Sequence, residues 1–244
     1  MDFQALPWSW SFDPQIWLGV AVVALLYTFG LRYSLRSGLT TQISWWRCAC
    51  FAGGLATIIL ALESPLDAWS GIYLWSHMLQ HLLLVLLAAP LLLLGAPLWP
   101  IWRATPLGAR RGSLRWLMMH PKPRRLGLAI GRALGSPRVA WVAFVFVFDA
   151  WHVPALYDLT LRNQTVHDLE HALFLFTALL FWAQVIPSHP LKPKLNYGAR
   201  AMYTMSAGFA TSLPAIPLTF AVTPIYGYYA TLPRTPGMIS AVTD

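Results

Sequence analysis

The stretch that decides the fold is Ser76-His77-Met78-Leu79-Gln80-His81, which runs without interruption into the apolar residues 82–94. Two histidines four positions apart fall on one face of a helix, with Cβ atoms about 5–6 Å from each other. An apolar run of this length reads as a segment that crosses hydrocarbon. There an ionisable side chain is costly and turns toward a protein interior or a cavity. The rest of the chain is therefore read for whatever meets this pair.

Composition supports the membrane setting. The 244 residues are 57% hydrophobic and 11% charged, against about 25% charged in an ordinary soluble domain. Thirteen tryptophans and nine tyrosines suit two interfacial aromatic belts. The formal charge of +8 does not point to nucleic acid, because the basic residues are segregated by loop rather than gathered into one patch. Cys48 and Cys50 alone give no disulfide framework. Asp2 and Asp13 stand where a signal peptide has a basic region, so the first span is expected to stay in the mature protein.

Apolar segments predict an all-α, polytopic transmembrane helix bundle forming one integral membrane domain over 1–244. Six spans are expected, at about 16–33, 43–62, 74–94, 139–157, 166–186 and 201–222. Gly53-Gly54 marks a close-packing point in the second. Pro214 and Pro217 should kink the sixth. Fifteen of the seventeen basic residues fall in the first, third and fifth loops, with Arg162 and Arg234 the exceptions. The opposite side receives Asp2, Asp13, Glu63, Asp67, Asp158, Asp168 and Asp244. By the positive-inside rule the basic loops are cytoplasmic and the N-terminus lies outside. The Arg-, Pro- and Gly-rich third loop is at least a topological determinant, and it has the composition for a helix on the anionic inner surface.

With that orientation five of the seven histidines gather near the outer ends of three helices, while His120 and His189 lie in cytoplasmic loops. His77 and His81 open the third span, His152 ends the fourth, and His167 and His171 open the fifth within His167-Asp168-Leu169-Glu170-His171. At about 1.5 Å per residue, His81, His152 and His171 reach a similar depth, about 5–10 Å below the interface. Imidazole suits copper, zinc, iron and nickel alike, so the residue type does not choose the metal. Asp149, Glu170, Asp168 and Glu63 are candidates to orient the rings from outside the ligand set. Met78 is a soft ligand for Cu(I), but it points about 100° away from its neighbour His77. The plainer readings are a proton path or a polar network for the histidines, and small packing residues for Cys48, Cys50, Met202 and Met205.

Ser64-Pro65-Leu66, His77-Met78-Leu79-Gln80-His81, Pro90-Leu91-Leu92, Trp151-His152 and His167-Asp168-Leu169-Glu170-His171, in this order, carry a resemblance. The chain resembles the CtaG family of multi-span bacterial cytochrome c oxidase assembly factors, the branch linked to caa-type oxidases. The resemblance implies a non-enzymatic copper-handling chaperone in the bacterial cytoplasmic (inner) membrane, with cytochrome c oxidase subunits and the lipid bilayer as partners. It carries His77, His81, His152, His167 and His171 over as metal residues. Family members continue into a seventh helix beyond the position of Asp244, a span expected to be missing here.

Two other classes compete. A haem-binding membrane cytochrome would use two histidines on different helices, such as His81 and His171, as axial ligands. A metalloenzyme reading rests on His167-x-x-Glu170-His171, which matches the inverted zinc-protease pattern with Glu170 as general base. That pattern is short, and a third ligand downstream is not evident. Membrane di-iron hydroxylases need more histidines than five, typically on the cytoplasmic side.

Overall fold

A computed structural model describes residues 8–38, 44–233, 240, 242 and 244. Asp2 and Arg234, both counted in the charge asymmetry, and Ile43, the expected start of the second span, lie outside the described residues. Among these the architecture is helical, with no strand beyond an isolated bridge between Ser188 and Leu191.

Helix α1 (Pro14–Arg36) begins where Asp13 accepts the Gln15 N–H and Pro14 fits the first turn. It runs antiparallel to α2 (Trp45–Glu63), and the backbone N–H of Ser11 bonds the Glu63 carbonyl across their ends. A short α3 (Pro65–Ser70) leads into α4 (Leu74–Leu94), the histidine helix. Three of these, α1, α2 and α4, are long and apolar enough to cross a membrane. Half of the α4 apolar window is buried, against 11% for α1, so α4 is the axis of the bundle. Its Leu84, Ala88 and Leu92 pack with Tyr27, Phe51 and Ile58. Its Val85 and Ala89 pack the other way, with Phe144, Phe174 and Phe181.

Close approach on the first side depends on glycine. A Cβ added at Gly54 would stand 2.8 Å from Leu92 Cγ, whereas one at Gly53 would make an ordinary contact with Leu91. Gly54 is thus the packing point of the pair.

Helices α5 (Leu98–Ala104), α6 (Leu107–Met119) and α7 (Pro121–Leu134) form the basic third loop, with α5 against α1. Helix α7 bends by 69° into α8 (Pro137–Trp151), and the two together are apolar enough for a fourth, broken span. The expected span 139–157 stops early. Pro154 forces Val153 into extended backbone, so His152 caps α8 and a separate α9 (Pro154–Arg162) follows. Helix α10 (Gln164–Trp182) is long enough to span but falls short in apolarity. Its first two turns carry His167, Asp168, Glu170 and His171. The sixth expected span ends rather than kinks: α11 (Tyr197–Thr211) stops before Pro214, and α12 (Ala215–Thr219) is one short piece. The tail includes α13 (Gly227–Thr231).

Candidate metal centre

Helices α4 and α10 lie side by side with their polar first turns at the same level. The face of α4 bearing His77 and His81 meets α10, with Tyr157 and His152 beside it. The result is a closed cluster. Ring centroids of His77 and His81 are 4.4 Å apart, those of His77 and His167 5.1 Å, and those of His81 and His171 5.4 Å. Glu170 reaches between the first pair, with Oε2 at 3.4 Å from His77 Nε2 and Oε1 at 3.6 Å from His81 Nε2. His77, His81, Glu170 and His171 each offer a ligand atom, and these four atoms lie within 4.8 Å of one another.

All four residues are buried. Yet both ring nitrogens of His77 and of His81, both oxygens of Glu170, and the Nε2 atoms of His167 and His171 have no hydrogen-bond partner among the described residues. A buried polar atom left unpaired costs about 1–3 kcal/mol, more for a charged group. Four of these atoms face one another across the His77–Glu170 and His81–Glu170 contacts, which at 3.4 and 3.6 Å are too long for good hydrogen bonds, so the group is a poorly satisfied polar cluster. The cluster fits a cation, which would take one lone pair from each neutral imidazole together with the carboxylate charge. Three imidazoles and a carboxylate suit divalent copper or zinc.

His152 stands at the edge of this group, its ring centroid 6.1 Å from that of His81. Its Nδ1 lies 2.7 Å from the Phe148 carbonyl, which fixes the N–H there and leaves Nε2 as the lone-pair side. The carboxylates read as orienting groups separate. Glu170 stands among the rings. Asp168 accepts from Gln164, and Glu63 accepts the Asp13 backbone N–H. Asp149 makes no hydrogen bond or ion pair with a histidine among the described residues. Met78 turns away into the cluster of Tyr157, Tyr226 and Tyr229.

That tyrosine cluster roofs the centre. Tyr157 lies 4.8 Å from the His77 ring, Tyr226 donates to the His152 carbonyl, and Tyr229 donates to the Ser70 carbonyl. Gln80, between the two histidines in sequence, is wholly buried and donates to the Ala61 carbonyl and to Asp67. Burial pushes the Asp67 carboxyl above the ordinary carboxylate range, while the Gln80 hydrogen bond pulls it down. In the sequence Asp67 stands out only among the outer-side acids and Gln80 only within the histidine stretch, neither as part of the site. Gln80 was visible as a polar residue inside an apolar span, whereas the tyrosines carry no spacing signal.

Several helices suited to a membrane, with a buried set of imidazoles and a carboxylate between two of them, define a helical membrane-type protein whose buried donors could hold an ion. The chain belongs to the cytochrome c oxidase caa3 assembly factor family (Caa3_CtaG), which it matches over residues 25–244. It is 25% identical over 225 residues to uncharacterized proteins of Mycobacterium bovis and Mycobacterium tuberculosis, covering 90% of this chain and 30% of each relative. An uncharacterized protein of Mycobacterium leprae is 24% identical over 239 residues, covering 96% of this chain and 32% of the relative. The chain thus spans about a third of the length of these curated relatives. No solved structure matches it.

Proposed function

We propose that this protein assists assembly of cytochrome c oxidase by holding one copper ion in the cluster of His77, His81, Glu170 and His171. It then releases the ion to an oxidase subunit within the bilayer of the bacterial cytoplasmic membrane. The observation that carries the reading is the convergence of four buried donors, none with a well-formed hydrogen bond at its ligand atom among the described residues, within 4.8 Å in a family of oxidase assembly factors. When bound, the ion would gain a ligand set of borderline softness, and exchange onto another protein needs no redox step. The chain's own residues do the rest. Glu170 offsets the ionic charge, the Phe148 carbonyl fixes the His152 tautomer, and the tyrosine roof limits water. His152 and His167, beside the four, are placed to take the ion as it arrives or leaves.

In this reading the bundle spans the membrane six times, with α10 and α11 among the spans and the N-terminus outside. The charge segregation supports that topology: Arg36 and Arg47 lie at one end of the antiparallel α1–α2 pair, and Asp13 and Glu63 at the other. The role is one of binding and transfer rather than catalysis.

Copper is favoured over haem because the rings are already in mutual contact. A porphyrin between His81 and His171 would have to displace His77, Glu170 and Phe174. Elemental analysis and a visible spectrum of the purified protein test this. About one copper per chain without a Soret band is expected, and loss of both copper and oxidase maturation in the His81→Ala, His171→Ala double variant. Undiminished copper in that variant would refute the assignment.

A further inference from the structure

Beside the cluster, and sharing His171 with it, lies an open cavity of about 260 Å³ between the chain segment before α1 and the first turn of α10. Its walls include Ser11, Asp13, Asp67 and Asp168, and its floor is formed by His167 and His171. Three carboxylates face the space and no lysine or arginine lines it. The carboxylates have neutral donors only: Gln15 N–H to Asp13, Gln80 and Ser11 to Asp67, and Gln164 to Asp168. These fix the groups in place without cancelling their charge. At the floor, His167 is 7% exposed and its Nε2 has no hydrogen-bond partner. A buried imidazole with an unpartnered nitrogen thus lies beside three carboxylates and no basic side chain in the cavity wall.

The floor is also continuous with the centre. The His167 and His171 rings are 4.2 Å apart, and His77 lies 5.1 Å from His167. Gln80 joins the Asp67 wall to the histidine helix. The tyrosine cluster packs against another side, and at this cavity open space reaches a residue of the cluster, His171.

We propose that the cavity is a capture port for a hydrated divalent cation, which Asp13, Asp67 and Asp168 concentrate and His167 hands to the inner cluster. The proposal rests on the reading of that cluster as a metal centre. The step is ligand exchange: water leaves the ion, carboxylate oxygens and then the His167 Nε2 lone pair replace it, and no electron changes hands. A cleft of one charge sign with low-dielectric walls raises cation arrival rates by about 10- to 1,000-fold. The port opens at the end of the bundle away from Arg36 and Arg47, so the ion would arrive from the side opposite the basic loops.

The test uses the full chain in detergent with Cu(II) as the probe, read by electron paramagnetic resonance and stopped-flow loading. In the His81→Ala, Glu170→Gln variant, which dismantles the inner cluster, one weakly held ion with mixed nitrogen and oxygen ligation should persist. Adding Asp67→Asn and Asp168→Asn should remove it. With the inner cluster intact, those two changes should slow copper loading at least about tenfold at low ionic strength, with the difference shrinking in high salt. Gln164→Lys, at an exposed position four residues before Asp168, should slow loading in the same way without altering any buried group. Loading rates unchanged by Gln164→Lys and by the aspartate changes would overturn the port. A residual ion indifferent to the aspartates would do the same. An ion that survives in the port while the intact protein binds nothing at the inner cluster would leave the port standing and refute the metal centre instead.

Discussion

The indole Nε1–H of Trp182, at the end of α10, donates to the backbone carbonyl of Val85 in the middle of α4 at 2.8 Å. The reason lies in α4 itself. Residues Leu83–Ala88 form a π turn, in which each N–H reaches back five residues, as Ala89 does to Leu84. The next donor in that register is residue 90, which is proline and has no N–H. The Val85 carbonyl is orphaned by sequence, and Trp182 satisfies it from the neighbouring helix. The π turn begins two residues after His81, so this bond locks the two histidine-bearing helices together.

Replacing Trp182 with phenylalanine keeps most of the packing and removes the donor. Interhelical hydrogen bonds in membranes contribute about 0.6–2 kcal/mol. A thermal-unfolding scan in detergent is expected to show a loss in that range, together with weaker copper retention as α4 and α10 loosen. An unchanged unfolding temperature and affinity would show the bond to be incidental.

A second prediction concerns the approach of α1 to α5. A Cβ at Gly30 would collide with the Pro100 carbonyl, a backbone atom that cannot swing aside. Gly30→Ala should therefore destabilise by about 1–3 kcal/mol despite its small size. Gly19→Ala, with nothing within 4 Å, should be neutral or slightly stabilising. The pair of unfolding curves checks it.

Glu170→Gln preserves shape but removes the charge between His77 and His81. If the carboxylate offsets ionic charge, copper affinity should fall by at least about tenfold, since even residues behind a ligand shell cost 10–100-fold. Competition with a calibrated chelator measures this. The same variant addresses the inverted zinc-protease pattern, because full function without the carboxylate would argue against both the general-base and the ligand role.

The Asp244 carboxylate accepts the Leu74 N–H at 2.9 Å and the Trp75 N–H at 3.5 Å, at the start of the histidine helix. Tyr73, the residue before the helix, supplies no side-chain cap. An anionic acceptor at this position contributes about 0.5–2 kcal/mol. Asp244→Ala is expected to speed amide exchange in the first turn of α4, read by mass spectrometry, while leaving α2 unaffected.

Much of the centre was legible because helical spacing is local. His77 with His81, and His167 with His171, must share a face whatever surrounds them, and matching depth brought the two helices together. Which carboxylate joins them was not legible in the same way. Asp168 and Glu170 both neighbour a histidine, and only the packing of α10 on α4 decides that Glu170 turns inward and Asp168 toward the cavity. Two helices end earlier than the expected spans for an identifiable reason as well. Hydropathy reads 139–157 and 201–222 as continuous, whereas Pro154 and Pro214 stop the hydrogen-bond ladder and create short pieces. The strap of residues 8–13 and the roof of Tyr157, Tyr226 and Tyr229 join parts of the chain far apart in sequence, where no periodicity can announce a contact.

X-ray absorption at the copper edge of the loaded protein tests the central claim most directly. The account predicts a shell of nitrogen and oxygen scatterers at about 2.0 Å, with the multiple-scattering pattern of imidazole and no sulfur. A shell dominated by sulfur at about 2.3 Å would place the ion at Cys48, Cys50 or a methionine and contradict it.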